Sequence, residues 1–388
     1  MTKLPLLEGR PVDYGDDEPA MAQYRTEGAA RAQALGNRGS LRYDDADGRV
    51  DLSFLEEYWR CGFYVLEGVL EDAELDDLES DVADLLDGAP AAKGAVTDRH
   101  GRPALGAGCR AMTFTWSPPL SDPVGGTDAN RGRHPVKMTE PKPPEGAPAE
   151  VLQLITGTLQ FSDACLRLYG HPHLLEIAAA VNGDDFTPFN EAIWIKHPHL
   201  GGSVAWHQDG FTHWGSPDLD AGTHGFNFMA QLYPSTPANG VWVVPGSHRA
   251  GKVDIAALVA EAGSDRLAGA VPIVCGRGDV VMTNRQVVHG SFANTSADPR
   301  VTVQFGFHRR RSVMGAESRY LSQRVVFDAE RVRERSKAIM YGIDARAQRY
   351  PWEKRFVYQP FAGEEGQYRW TPRTKAELKD YNLLDLGI

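Results

Sequence analysis

Hydrophobic and polar positions fall into a readable pattern only from about Val50. Up to residue 45 the chain is polar, rich in Gly and Ala and weakly periodic, so residues 1–45 are expected to form a polar N-terminal extension that drapes over the body or stays partly without order. An N-terminal part with strand and helix follows over 46–189. In it, FYVLEGVL at 63–70 reads as a short strand, and Leu75, Leu78, Val82 and Leu85 recur behind it at helical spacing. Residues 88–148 are rich in Gly and Pro, with a short strand expected at 112–116. A segment that long without strong periodicity reads as a lid over an active site or as a solvated loop. Helices are predicted at 149–170 and 172–182, the second opened by Pro172 and closed by Gly183.

Between Asn190 and residue 310 the chain changes character. FNEAIWIK, VAWHQ, FNFMAQLY, GVWVVP, AVPIVC, DVVMT and VTVQFGFH are β-rich and separated by Gly, Pro and Asn turns. Short strands in such close succession imply a sandwich or barrel, hence a mainly β fold with flanking helices. Residues 311–388 turn charged and helical at AERVRERSKAIM and end in an irregular aromatic tail beginning YPWEKRFVYQPF. One integrated domain is expected, with 190–310 as its core.

Composition narrows the partners. Hydrophobic residues at 42% and charged residues at 24% describe an ordinary globular chain. A net charge of −11, from 41 basic and 52 acidic residues, argues against nucleic acid or an anionic membrane surface and leaves a small molecule as the expected partner. Cys61, Cys109, Cys165 and Cys275 lie far apart, without the short spacings of a zinc knuckle or redox motif. With no apolar run of signal-peptide or membrane-span length, a reduced cytoplasmic protein is expected. The oligomeric state is not legible.

The candidate chemistry starts at Trp206-His207-Gln208-Asp209-Gly210. On a strand, His207 and Asp209 point to one side and can grip a metal. His-x-Asp alone is a weak motif in a chain with 12 histidines. His289, near the start of another strand segment, strengthens it, although a hydrogen-bonded core histidine is the competing reading. Two imidazoles and a carboxylate on one face of an octahedral iron leave roughly three positions for a chelating cosubstrate and dioxygen, whereas structural zinc prefers a closed set of four ligands. Arg300, 11 residues after His289, can hold a carboxylate through two parallel hydrogen bonds, with surface ion pairing as its alternative. Ser291 can add a hydroxyl donor. Asn190, Trp194 and Lys196 share one face of their strand by parity, and His248, in the turn PGSH, reads as structural.

The ordered set His207-x-Asp209, Asn239-Gly240 leading into Val243-Val244-Pro245-Gly246-Ser247-His248, Gly278-Asp279, His289-Gly290-Ser291 and Arg300 resembles the phytanoyl-CoA hydroxylase-like family of iron(II)- and 2-oxoglutarate-dependent oxygenases. The resemblance spans roughly 190 to 308, and Gly62-Phe63-Tyr64-Val65-Leu66 looks like the family's N-terminal opening. It implies a double-stranded β-helix core of the jelly-roll, cupin-like type. Iron(II) would be held by His207, Asp209 and His289, 2-oxoglutarate by Arg300 and Ser291, and dioxygen would be the oxidant. Similarity to the ectoine hydroxylase branch implies that Asn190 and Trp194 face the cosubstrate. The stretch GFTHWGSPDLDAGTHG departs from that branch, so the substrate is not inherited, and Trp214 with the aromatic tail is expected to help 88–148 cover the iron. A non-oxidative metal-dependent cupin enzyme and a non-catalytic jelly-roll binding protein are the rival readings, separated from the first by the role of Arg300.

Overall fold

The computed structural model describes residues 4–44, 48–210, 214, 225–320 and 323–385. Each of the seven β-rich segments supplies a strand, and with five others they build two antiparallel-rich sheets. The larger sheet runs β1 (Arg38–Ser40), β2 (Phe63–Glu67), β10 (Val280–Asn284), β7 (Gly225–Gln231), β12 (Arg300–His308), β5 (Thr187–Lys196), β4 (Val151–Thr156) and β3 (Phe114–Ser117). The smaller runs β6 (Val204–His207), β11 (His289–Ser291), β8 (Trp242–Val243) and β9 (Val271–Pro272).

Two-residue alternation explains how the larger sheet works. Phe226, Phe228 and Ala230 of β7, Ile193 and Ile195 of β5, and Val301, Val303, Phe305 and Phe307 of β12 face a helical layer and are buried. The helices Asp72–Asp87, Asp163–Tyr169, Pro172–Asn182 and Ala329–Arg349 give that layer its apolar side, with Leu75, Leu78, Val82, Leu166, Leu174 and Ile339 in the same core. Each such side chain stabilises the fold by roughly 1.5–3 kcal/mol relative to exposure. The intervening positions, Asn190, Ala192 and Trp194, Asn227 and Met229, and Thr302 and Gln304, look the other way and line a cavity shared with the smaller sheet. A sheet-rich core with flanking helices is thus what the alternating pattern produces.

One polar group intrudes on the helical side. Glu191 of β5 is buried and accepts hydrogen bonds from the Thr158 amide at 3.0 Å and from the Tyr381 hydroxyl. Burial, and then the nearby Asp385 carboxylate, pushes its pKa from 4.5 up to about 8. The folded chain therefore keeps Glu191 protonated where the unfolded chain ionises it. Stability from this group is complete below 4.5 and is lost as pH rises towards about 8. Glu191→Gln is expected to flatten that decline in denaturation measured from pH 5 to 8. Equal slopes for the two proteins count against it.

Several expectations need correction. The first 45 residues contain a helix, Glu18–Leu35, which lies over the body and packs on it through Met21, Tyr24 and Gly28. Tyr24 stacks on Trp242 with centroids 4.5 Å apart, Met21 is fully buried, and a Cβ at Gly28 would come within 2.4 Å of the Trp242 ring. Ala and Gly let this helix approach β8 and β9 without an apolar stripe, so periodicity missed it. The helix predicted at 149–170 is a strand in its first part. VLQLIT forms β4, pairing Leu154 with Trp194 of β5, and Gly157 at φ +68° breaks the chain before the short helix Asp163–Tyr169. A run of apolar residues fits both periods, and pairing with β5 decides it.

The 88–148 segment is mostly irregular and strapped to the smaller sheet. The Asp122 carboxylate accepts the Ala205 amide at 2.8 Å, Ser203 donates to Glu140 at 2.7 Å, and the Leu120 amide donates to the Leu200 carbonyl at 2.8 Å. Of this segment only Arg133 and His134 line the cavity. The aromatic tail does not cover it: Tyr358 packs with Phe186 and Phe361 on the helical side, and no cavity-lining residue lies beyond Gln304 among those described. An apolar tail finds more burial against the helices than at a polar mouth. Trp214 instead borders a second, outer cleft, and residues 211–213 and 215–224 of GFTHWGSPDLDAGTHG lie outside the described residues. Among those described, no helix is long and apolar enough to cross a membrane.

Candidate metal centre

β6 and β11 pair so that His207 and His289 are direct cross-strand partners. Cross-strand neighbours sit side by side on one face, and the two rings lie 4.1 Å apart. Asp209, two residues beyond His207, is fixed by its own amide donating to the Arg285 carbonyl at 2.9 Å. Gly210 then turns the chain at φ +70°. The ligand atoms of His207, Asp209 and His289 all lie within 4.8 Å of one another.

The surroundings orient each donor. His207 Nδ1–H donates to the Ala205 carbonyl at 2.8 Å and His289 Nδ1–H to the Val287 carbonyl at 3.0 Å, which leaves each Nε2 lone pair for the shared space. Asn227 donates to Asp209 Oδ2 at 3.0 Å, while Oδ1 lies 3.7 Å from His207 Nε2. Burial, then the adjacent His289, pushes His207 far below the usual imidazole range. Burial lowers His289 as well, against the pull of Asp209. Burial opposes ionisation of Asp209, yet Arg285, His289, Arg133 and the Asn227 bond hold its carboxyl well below the usual range. Two neutral imidazoles and one carboxylate suit a divalent first-row metal.

The same cavity is lined by Arg300, Ser291 and Thr302, with Asn190 and Trp194 on β5. Arg300 is 3% exposed. It donates through Nη1 to the Asn239 carbonyl at 3.0 Å, and its buried Nε has no hydrogen bond. Among the described residues it makes no ion pair, so a surface pairing does not account for it. Lys196, its cross-strand partner, is occupied by the Phe292 carbonyl. His248 donates to the Trp59 carbonyl at 2.9 Å, apart from the triad.

The model of the phytanoyl-CoA dioxygenase family matches residues 58–302. The chain belongs to this family. The match takes in the triad, Ser291 and Arg300, and the family is iron(II)- and 2-oxoglutarate-dependent and uses dioxygen, so iron(II), 2-oxoglutarate and dioxygen are its cofactors. A curated relative, L-proline trans-4-hydroxylase from Streptomyces griseoviridis, is 26% identical over 189 residues, covering 42% of this chain and 69% of its own. The crystal structure of EctD from S. alaskensis with 2-oxoglutarate and 5-hydroxyectoine aligns at TM-score 0.47 and 20% identity, over 69% of this chain and 79% of that one. AviO1 from Streptomyces viridochromogenes Tue57 aligns at TM-score 0.44 and 23% identity, over 66% and 92%.

Asn227, Thr283, Arg133 and His134 are among the cavity residues that the sequence reading did not single out. Asn227 occupies a polar position between Phe226 and Phe228, so parity could have found it. Thr283 on β10, with a buried unpartnered hydroxyl, is legible the same way. Arg133 and His134 carry no such signal. His134 stacks on His207 at 4.3 Å and 13°, and Arg133 Nη1 lies 3.8 Å from Asp209 Oδ1. Just before them Asn130, Arg131 and Gly132 are all left-handed, at φ +50°, +58° and +67°. For the two non-glycine residues that conformation costs roughly 1–2 kcal/mol each, and such strain gathers where a site needs a particular presentation.

Proposed function

We propose that the protein is a dioxygenase that hydroxylates an unactivated C–H bond of a small molecule, converting 2-oxoglutarate and dioxygen to succinate and carbon dioxide as one oxygen atom enters the substrate. His207, Asp209 and His289 hold the iron in this reading. Arg300 and Ser291 take the far carboxylate of 2-oxoglutarate, and Asn190 and Trp194 flank it. The two sheets enclosing the cavity correspond to a double-stranded β-helix. When bound, the metal supplies the site at which dioxygen is activated, and this chain supplies the orientation. The Nδ1–H bonds of both histidines aim their Nε2 atoms, Asn227 fixes Asp209, and the buried walls exclude water.

The observation that carries this reading is the in-register pairing of His207 with His289 beside Asp209, in the same cavity as a buried guanidinium that makes no ion pair among the described residues. A planar fork held out of water is suited to a dicarboxylate cosubstrate. The relative named for L-proline hydroxylation supports a small-molecule substrate. Anaerobic addition of iron(II) and then 2-oxoglutarate is expected to produce the weak visible charge-transfer band of the chelate. Tight iron binding with no such band supports a non-oxidative cupin enzyme instead, and binding of neither supports a non-catalytic module.

A further inference from the structure

The proposed roles account for Arg300 but leave a second buried guanidinium at the metal centre unused. Arg133 has a side chain only 12% exposed, and its buried Nη1 makes no hydrogen bond. Its ion-pair partner among the described residues, Asp209 Oδ1 at 3.8 Å, is beyond hydrogen-bond reach. Asp209 is also engaged elsewhere, through Asn227 on Oδ2 and, in the proposed reading, the metal. Arg133 Nε is directed to His134 Nε2 at 3.3 Å, which leaves the buried Nη1 as the nitrogen of the fork without a hydrogen bond.

The fork is built into place. His134 lies flat on His207, its Nδ1 is 3.8 Å from Asp122 Oδ2, and Asp122 is itself tied to the β6 backbone. Through these contacts the position of Arg133 is set relative to a triad residue. Among the described residues, Arg133 is common to the inner cavity and the outer cleft. That cleft carries the cationic side chains of Arg133 and Lys252, with Arg131 already engaged in an interaction of its own, beside Trp214, Val253 and Ile255. No acidic residue is among those described as lining it, although the whole chain carries a charge of −11. A local reversal of sign in a concave site favours an anionic ligand.

We propose that Arg133 determines substrate specificity by receiving a carboxylate of the primary substrate, whose apolar body lies along the outer cleft while the bond to be oxidised reaches the metal. The inference rests on the proposed function above. It adds the class of substrate: a small carboxylic acid with an apolar or aromatic portion. Guanidinium and carboxylate match as a planar two-bond pair, and a buried charge left unpaired is costly, so a neutral analogue is rejected by the site itself.

The test uses anaerobic protein carrying iron(II) and 2-oxoglutarate, probed by ligand-observed NMR. The probes are matched acids and primary amides, namely L-proline and L-prolinamide, benzoate and benzamide, phenylacetate and phenylacetamide, with phenyl phosphate as the alternative anion. At least one acid is expected to bind about tenfold or more tightly than its amide. Arg133→Gln should erase that preference and Arg133→Lys retain part of it, while the charge-transfer band still forms on adding 2-oxoglutarate in both variants. The band also shows that each variant is folded. Amides binding as well as acids, no acid binding at millimolar concentration, or an acid preference that survives in Arg133→Gln overturns the proposal. So does a preference for phenyl phosphate, which makes the cleft a phosphate site, or a loss of 2-oxoglutarate rather than of the acid, which moves Arg133 onto the cosubstrate. A wild-type protein without the band is a different failure, that of the oxygenase reading.

Discussion

Alanine at His207, and separately at His289, is expected to lower succinate formation by more than about a hundredfold, because in the proposed reading each removes one of three protein donors to the iron. Loss of a group that merely orients a metal ligand already costs about 10- to 100-fold, and losing the ligand itself should cost more. The two variants should behave alike, since the residues are direct partners across β6 and β11 with matching Nδ1–H bonds to their own strands. The effect should be chemical rather than structural. Both rings face a cavity, so circular dichroism and the unfolding midpoint should stay near wild type while iron affinity falls. Near-normal succinate formation in both variants would falsify the ligand assignment.

Arg300→Ala should weaken 2-oxoglutarate binding by at least about a hundredfold and leave iron binding intact. Removing one partner of a buried, hydrogen-bonded charge pair costs on the order of 3–5 kcal/mol. Arg300→Lys should recover little, since an ammonium offers no two-pronged geometry and Lys196 already places a second amine across the strand pair. Separate titrations of iron(II) and 2-oxoglutarate distinguish the outcomes. Unchanged cosubstrate affinity hands the clamp to Lys196, now bonded to the Phe292 carbonyl, or to Arg285, whose guanidinium lies 3.8 Å over the Phe189 ring.

Legibility in the sequence followed the physics of each element. Strands with one face against helices and one against a cavity declare themselves by alternation, and so Asn190, Trp194 and the β7 and β12 faces were readable. His207 and Asp209 shared a side by the same parity. That His289 would stand directly opposite His207 was not readable, because register depends on which strands meet. VLQLIT was ambiguous until its neighbours were known, and the helix Glu18–Leu35 was hidden because Gly28 and Tyr24 make its contacts in place of an apolar stripe. Arg133 and His134 lie on an irregular segment whose course is set by side-chain straps such as Asp122 to Ala205, an interaction with no period to detect.

The three triad residues stand on or beside β6 and β11 of the four-stranded sheet, whereas Arg300 stands on β12 of the eight-stranded one. In the proposed reading the cosubstrate therefore bridges the two sheets like the jaws of a calliper. Its usable length depends on how far apart the sheets hold the triad and Arg300, with Ser291 of β11 sharing the far carboxylate. Oxaloacetate and 2-oxoadipate, one methylene shorter and longer than 2-oxoglutarate, become a ruler for that gap. A substitution in the core that lets the sheets spread or close should shift the preference among the three acids without touching any residue that binds them.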